Sequence, residues 1–125
     1  MSDLPEEVIN AWDNRKGPAV LATVDAEGMP NIIYATCVNR YAADTLVIAD
    51  NYFDKTRQNI LRGSKGSILF ITKDNKAFQI KGRLEYHRTG QVYEDMKKWN
   101  PGRHPGHAAL LFKIDNVYSG SIKLL

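Results

Sequence analysis

The sequence predicts a mainly β fold with added helices, in the form of an antiparallel barrel of about six strands. Segments rich in β-branched and aromatic residues recur along the chain, and turn residues separate them. Two helical segments lie between strands, but strand and helix do not alternate as they do in parallel sheets. The GxGxxG pattern of dinucleotide-binding folds is absent. Together these observations favour a small antiparallel barrel over a Rossmann fold.

The composition is that of an ordinary globular chain. Its 125 residues favour one domain over residues 1–125, and 43% hydrophobic with 25% charged residues argues against disorder. No apolar run approaches the ~20 residues that span a bilayer, and the acidic N-terminal segment is unlike a signal peptide. The single cysteine excludes an intrachain disulfide. We therefore expect a cytoplasmic protein with no membrane partner.

The net charge of +3 does not point to nucleic acid. It arises from 17 Lys and Arg against 14 Asp and Glu, and no basic tract concentrates it. A single small anionic ligand would suit this charge equally well. Composition alone does not identify the function.

The first predicted element is a helix. Asp3 is expected to cap it, Glu6 to complete a capping box, and Gly17 with Pro18 to stop it. Its apolar positions share one face, formed by Leu4, Val8, Ala11 and Trp12.

Strands follow over residues 19–24, 30–39, 45–49, 67–72, 77–87 and 108–118, with a short final strand within 121–125. Two further helices are predicted between them. One covers residues 55–62 with Asp54 as N-cap and Gly63 as C-cap, and the other runs from about residue 90 to Trp99 with Thr89 as its cap.

The segment from Asp50 to Ile60 carries the strongest functional signal. It leaves a strand, turns and opens a helix, where free backbone N–H groups and partial positive charge can seat a phosphate. Lys55, Thr56 and Asn59 can share one side of the first turns. The alternative is a capped surface helix with solvated polar residues.

The order of these segments resembles a known family. A strand pair with a glycine turn (Val20 to Val24, then Gly28 to Asn31) leads to an extended strand ending Tyr34-Ala35-Thr36-Cys37-Val38. A hydrophobic strand then enters Ala49-Asp50-Asn51, and Lys55-Thr56-Arg57-Gln58-Asn59 opens the helix. This arrangement is similar to the pyridoxamine 5′-phosphate oxidase-like FMN-binding split barrels, especially the short ones. The similarity extends from about Gly17 to His87, with the last strand also in place.

The resemblance implies a six-stranded FMN-binding split barrel with FMN as its cofactor. Lys55, Thr56 and Asn59 would hold the phosphate, with Arg57 or Arg62 as helpers. The other implied cofactor-binding residues are Ala35, Thr36 and Cys37 beside the isoalloxazine, Ala49, Asp50 and Asn51 near the ring or ribityl chain, and Gln79 with Lys81 on the fifth strand.

The resemblance also implies a homodimer with FMN near the subunit interface, where Trp99 or Tyr118 of the partner subunit could cover the ring. The expected function is that of a flavin-dependent oxidoreductase or electron carrier with unknown donor and acceptor. Deazaflavin F420 or haem replaces FMN in some relatives. The family's oxidases carry an arginine-bearing C-terminal segment that this sequence does not match, so we expect a different substrate.

The sequence also allows other interpretations of the function and of single residues. The main alternative is a small barrel that binds single-stranded nucleic acid without catalysis, as OB-folds do. Cys37 is either a small buried hydrophobe or a thiol that tunes a flavin. His104 and His107 are spaced to chelate a metal, but no carboxylate or thiol lies beside them, so a loop of solvated histidines and no metal site are expected.

Overall fold

The computed structural model describes residues 3–125, which form three helices and eight strands. In chain order they are α1 (Glu6–Asp13), β1 (Ala19–Val24), β2 (Pro30–Ala35), β3 (Val38–Ala42), β4 (Thr45–Asp50), α2 (Lys55–Leu61), β5 (Gly66–Ile71), β6 (Ala77–His87), α3 (Gln91–Trp99), β7 (Ala108–Ser119) and β8 (Ile122–Lys123). The predicted mainly β architecture is confirmed. No helix of residues 3–125 is long and apolar enough to cross a bilayer.

All strands belong to one antiparallel sheet that curls around a core. Its order is β2-β1-β5-β6-β7-β4-β3, and β8 pairs with β7 outside this path. The two edge strands, β2 and β3, are consecutive in the chain but are not paired with each other. A seam is therefore left open between β2 on one side and β3 and β4 on the other.

The prediction of a single strand over residues 30–39 is wrong, because β2 and β3 both begin within this range. Ala35 is the last residue of β2 to pair with β1, opposite Ala19, whereas Val38 starts the pairing of β3 with β4, opposite Ile48. A continuous strand could not pair at both edges of the sheet, so the chain bends at Thr36 and Cys37. The break adds one strand to the six main strands and the short final strand that the sequence predicts, so the sheet has eight.

Two predicted helix N-caps are also wrong. Helix α1 begins after Pro5, whose carbonyl accepts hydrogen bonds from Val8 and Ile9, and no side chain caps it. Exposed Asp3 therefore forms no capping box. Gly90 rather than Thr89 precedes α3, and its carbonyl accepts the Glu94 N–H. Asp54 does precede α2, but its side chain accepts a 3.3 Å hydrogen bond from Gln58 instead of capping the helix.

Strand β4 is buried on both faces. Leu46 and Ile48 enter the main core, where Trp12 of α1 meets Phe70 edge to face. Val47 and Ala49 join a second cluster that includes Ala109, Leu111 and Met96 of α3. All six residues of β4 are buried, which fixes the position of its last residue, Asp50.

A bulge in β6 requires a glycine. The register between β6 and β7 shifts between Lys81 and Gly82. A Cβ atom on Gly82 would lie 2.1 Å from the carbonyl oxygen of Lys113 and 2.8 Å from the ring of Phe112. Only a residue without a side chain fits this approach of backbone to backbone.

The outer face of β2, β1 and β5 is apolar and exposed. Ile32 and Tyr34 on β2 are 66% and 75% exposed, and Leu69 on β5 is 47% exposed. Paired residues of neighbouring strands share a face, so the register extends this surface from Leu69 through Gln79 to Tyr118. We call this surface, which also includes Val24 and Ile71, the outer sheet face.

Candidate functional site

A cavity of about 250 Å³ lies at the seam of the sheet. The inward side chains of β2 form one wall, and the end of β4 with the start of α2 forms the other. The bend between β2 and β3 lies between these walls. The lining residues are Asn31, Ile33, Tyr34, Ala35, Thr36, Cys37, Ile48, Ala49, Asn51, Tyr52, Phe53, Asp54, Lys55, Thr56 and His104.

Most of the residues predicted to bind a cofactor line this cavity. They are Ala35, Thr36, Cys37, Ala49, Asn51, Lys55 and Thr56, which come from three separate segments of the chain. The fold brings these segments together because β4 leads directly into the loop before α2, while β2 and its bend lie across the seam.

Three of the predicted residues lie elsewhere. Asn59 is buried, and its amide donates a 3.0 Å hydrogen bond to Thr23. Asp50 is fully buried behind the cavity wall. Gln79 lies on the outer sheet face between Leu69 and Tyr118, away from the cavity.

One end of the cavity is polar and carries a positive charge. Lys55 is exposed and forms no hydrogen bond or ion pair with the described residues. Thr56 is buried, and its Oγ1 accepts a 3.0 Å hydrogen bond from the amide of Asn31. Because a hydroxyl both accepts and donates, Thr56 retains a proton for a ligand. This end can bind an anion.

The remaining walls are largely apolar and include small side chains. Ile33 and Ala35 come from β2, and Ile48 and Ala49 from β4. At the bend, the Thr36 hydroxyl and the Cys37 thiol lie 3.8 Å apart, and the Cys37 carbonyl accepts a 2.9 Å hydrogen bond from the Ala49 N–H. A flat, mostly apolar ligand with a polar edge would match these walls.

An ion pair between buried Asp50 and half-buried Arg57 positions α2 against the sheet. Arg57 donates to both carboxylate oxygens of Asp50, at 2.7 and 2.9 Å, and the Phe53 N–H donates at 3.0 Å. The Tyr86 hydroxyl also donates to Asp50. The hydrogen bond to Asp50 raises the pKa of Arg57. Burial, followed by the bond to Asp50, raises the pKa of Tyr86. These contacts connect β4, α2 and β6, and so fix the start of the helix that carries Lys55.

A second buried contact attaches the loop between α3 and β7 to the cavity. Asn51 and Asn100 exchange reciprocal amide hydrogen bonds of 3.1 and 2.9 Å, and the Gly106 N–H donates to Asn51 Oδ1 at 3.0 Å. This loop places His104 in the cavity wall, 3.2 Å from the hydroxyl of Tyr52. The side chain of Asn51 therefore holds a loop as well as lining the cavity.

Reasoning from the sequence missed Asn31 and His104 as cavity residues. Asn31 lies within a strand, and its bond to Thr56 joins segments that are distant in the chain. The sequence predicts a solvated loop residue at His104, because nothing near it in the sequence indicates the cavity. The described residues contain no cluster of three or more metal-binding side chains.

Comparisons with known proteins agree with this fold. A family model described as pyridoxamine 5′-phosphate oxidase matches residues 5–119. An uncharacterized protein of Methanocaldococcus jannaschii is 28% identical over 122 residues, which cover 93% of this chain and 80% of that protein. The solved structure of HupZ from Group A Streptococcus is 28% identical with a TM-score of 0.81, and the alignment covers 93% of each chain.

An FMN-binding protein from Syntrophomonas wolfei has the same fold, with a TM-score of 0.77 at 23% identity, covering 90% of this chain and 82% of that chain. These matches confirm the split-barrel fold and the resemblance drawn from the order of motifs. Because the family model spans β1 to β7 and most of the residues before β1, the chain belongs to the pyridoxamine 5′-phosphate oxidase family.

Proposed function

We propose that this chain binds FMN at the seam of the barrel and acts as a flavin-dependent oxidoreductase or electron carrier. One observation carries the proposal. The cavity joins an apolar slot between β2 and β4 to the exposed ammonium group of Lys55. A flavin mononucleotide has the same two parts, a flat ring system and an anionic phosphate.

The residues at the polar end fit a phosphate group. A phosphate monoester carries a charge of about −1.5 to −2 near pH 7 and needs cations and hydrogen-bond donors. Lys55 supplies the positive charge, and Thr56 supplies a hydroxyl that Asn31 already orients. Asn59 would support this end indirectly, since its amide is bound to Thr23.

The apolar walls fit the isoalloxazine ring. Ala35 and Ala49 leave room for a flat ring, and Ile33 and Ile48 would contact its faces or edges. Thr36 and Cys37 would face its polar edge at the bend. The bound flavin supplies the hydride or electron chemistry, while these side chains bind it, orient it and exclude water.

A second copy of the chain would complete this site. The cavity of about 250 Å³ is smaller than the ~300–1,000 Å³ typical of ligand pockets, so part of a bound FMN would protrude. The exposed outer sheet face is an apolar surface that a homodimer would cover. Gln79, Lys81 and Tyr118 would then lie at the subunit interface, where they could reach the partner's cofactor.

Tyr118 is a better candidate than Trp99 for covering the ring. Tyr118 pairs with Gln79 on the outer sheet face, and Lys81 Nζ lies 5.6 Å from the centre of its ring. Trp99 instead packs against the second core cluster, and its indole N–H donates to Asp95.

The direct test is the absorbance spectrum of the purified protein, before and after denaturation, with any released chromophore identified by mass. We expect flavin absorbance and released FMN. Released deazaflavin F420 would change the cofactor but keep the site. A colourless protein that fails to bind added FMN or F420 would contradict the proposal, and salt-dependent binding of single-stranded nucleic acid would be measured next.

A further inference from the structure

Tyr52 and His104 form a contact at the cavity that the binding of FMN described above does not use. The Tyr52 hydroxyl lies 3.2 Å from His104 Nδ1, and the two rings meet edge to face with centroids 5.5 Å apart. Both residues line the cavity, and Tyr52 is 71% exposed. The pair therefore places an imidazole and a phenol together in the cavity wall.

The surrounding loop holds this imidazole in place. The His104 N–H donates to the Pro101 carbonyl at 3.0 Å, and Lys97 Nζ donates to the Pro105 carbonyl at 3.0 Å. The contacts of Asn51 with Asn100 and Gly106 attach the same loop to the end of β4. A side chain that transfers protons must be held in a fixed position, and these hydrogen bonds fix the loop that carries His104.

His104 has a distinct protonation chemistry among the described residues that line the cavity. A histidine side chain gains or loses its charge between about pH 5 and 8, unlike lysine, aspartate or tyrosine. The other titratable or charged residues that line the cavity are Tyr34, Cys37, Tyr52, Asp54 and Lys55. Lys97 of α3 contacts the loop of His104, and Arg103 precedes His104 in that loop.

We propose that His104 exchanges a proton with the molecule bound in the cavity and that Tyr52 is its positioning residue. The inference rests on the proposed FMN site. When Nδ1 carries the hydrogen and donates it to Tyr52, Nε2 can accept a proton from the cavity. His104 then carries a positive charge, and its Nδ1–H still donates to the Tyr52 oxygen. Each step transfers one proton, and the charge gained by His104 is lost again when Nε2 releases its proton to the bound molecule or to water.

The first test compares FMN dissociation constants from pH 5.5 to 8 for the wild type and His104→Gln. Protonated His104 adds a positive charge beside an anionic ligand, so it favours binding at low pH. We expect the ratio of the wild-type FMN association constant to that of His104→Gln to rise about three- to tenfold from pH 8 to pH 5.5. Because both proteins bind the same ligand, this ratio cancels the titration of the phosphate itself.

His107→Gln is the matched control, since His107 is exposed in the same loop and does not line the cavity. The ratio of the wild-type FMN association constant to that of His107→Gln should not change with pH. If the ratio for His104→Gln does not change with pH either, the inference is overturned and the FMN site is left intact. Absence of FMN binding in the wild type would overturn the proposed function itself, and the inference with it.

Tyr52→Phe tests the positioning role, because it keeps the ring and removes the hydroxyl. We expect the ¹⁵N spectrum of the His104 imidazole to show a changed tautomer balance, and the midpoint of the pH-dependent FMN affinity to move. The resonances of His87 and His107 serve as internal references. An unchanged tautomer balance and midpoint would overturn the role of Tyr52.

Discussion

Lys55 and Asp50 are two charged residues beside the cavity that differ in what surrounds them. Lys55 is exposed and forms no contact with a described charged group, so its charge is available to a ligand. Asp50 is fully buried, and its oxygens are occupied by Arg57, Tyr86 and the Phe53 N–H. Substitution of Lys55 should therefore change binding, and substitution of Asp50 should change stability.

Lys55→Glu should weaken FMN binding by at least ~1.5 kcal/mol. The change removes the proposed charge-assisted contact to the phosphate and adds repulsion between like charges. Lys98→Glu is the control, because this exposed lysine on α3 does not line the cavity. Fluorescence titration gives both dissociation constants. Equal affinities in the two variants would remove the phosphate from the Lys55 end.

Asp50→Asn should lower the free energy of unfolding by about 3 kcal/mol, because the new amide group would face donors from Arg57 and Tyr86. Asp115→Asn provides the comparison, since Asp115 is 40% exposed and pairs with Arg83 at the surface. That change should cost less than ~1 kcal/mol. Urea unfolding measures both values, and a similar loss in the two variants would argue against a special role of Asp50.

The residues of the site were partly predictable from the sequence. Lys55 and Thr56 follow a strand and begin a helix, and this local pattern can be predicted from the neighbouring residues alone. Asp50 belongs to the same pattern, but its partner Tyr86 comes from β6. Contacts of this kind, including Asn51 with Asn100 and Tyr52 with His104, depend on the tertiary fold and have no local signal.

Among the elements, β6 and β7 share the longest ladder, and the bulge at Gly82 interrupts it. Gly82→Ala should cost at least ~2 kcal/mol of stability, because its Cβ would overlap the Lys113 carbonyl oxygen. Gly102→Ala is the control, as no atom lies within 4 Å of a Cβ there. Thermal unfolding followed by circular dichroism compares them, and equal melting temperatures would contradict the close approach at the bulge.

The same ladder contributes a pH-dependent part of the stability. A hydrogen bond from Lys113 lowers the pKa of Glu85 in the folded protein. A carboxylate with a lowered pKa stabilises the fold above its unfolded pKa of about 4.3, and this contribution is lost as the pH falls through the folded value. Glu85→Gln should thus be less stable than the wild type at pH 7 and equally stable near pH 3.

Because Glu85 is partly exposed, we expect the difference at pH 7 to remain below about 1 kcal/mol. Melting temperatures at the two pH values test this expectation. Glu94→Gln on α3 is the control, since Glu94 has no ion pair with a described residue. A Glu85→Gln deficit that persists at pH 3 would show that packing, and not charge, is responsible.

Most helices and strands could be predicted from the sequence, because their apolar residues recur at a clear spacing, as in β1 and β6. The break at Thr36 and Cys37 could not, because the apolar pattern continues from Ile32 to Val38 without glycine or proline. The break depends on which strands pair at the two edges of the sheet, and local sequence does not encode this.

At the scale of the whole molecule, the outer sheet face is the feature that we expect to set the quaternary structure. Ile32→Lys should convert the proposed dimer to a monomer in light scattering and weaken FMN binding, because it places a charge within an apolar interface. Leu61→Lys is the matched control, since Leu61 is 55% exposed on α2. If both variants remain dimeric, the interface lies elsewhere.

The sheet order also affects how the chain is made. Strand β4 ends at Asp50, but β7, its partner on one side, begins only at Ala108. During synthesis on a ribosome, the apolar Thr45–Asp50 segment emerges well before that partner. Its unpaired edge is then exposed to other nascent chains, and apolar strands in this state are prone to aggregate. Slow translation between these strands would prolong that exposure, so the yield of folded protein should depend on how quickly β7 follows.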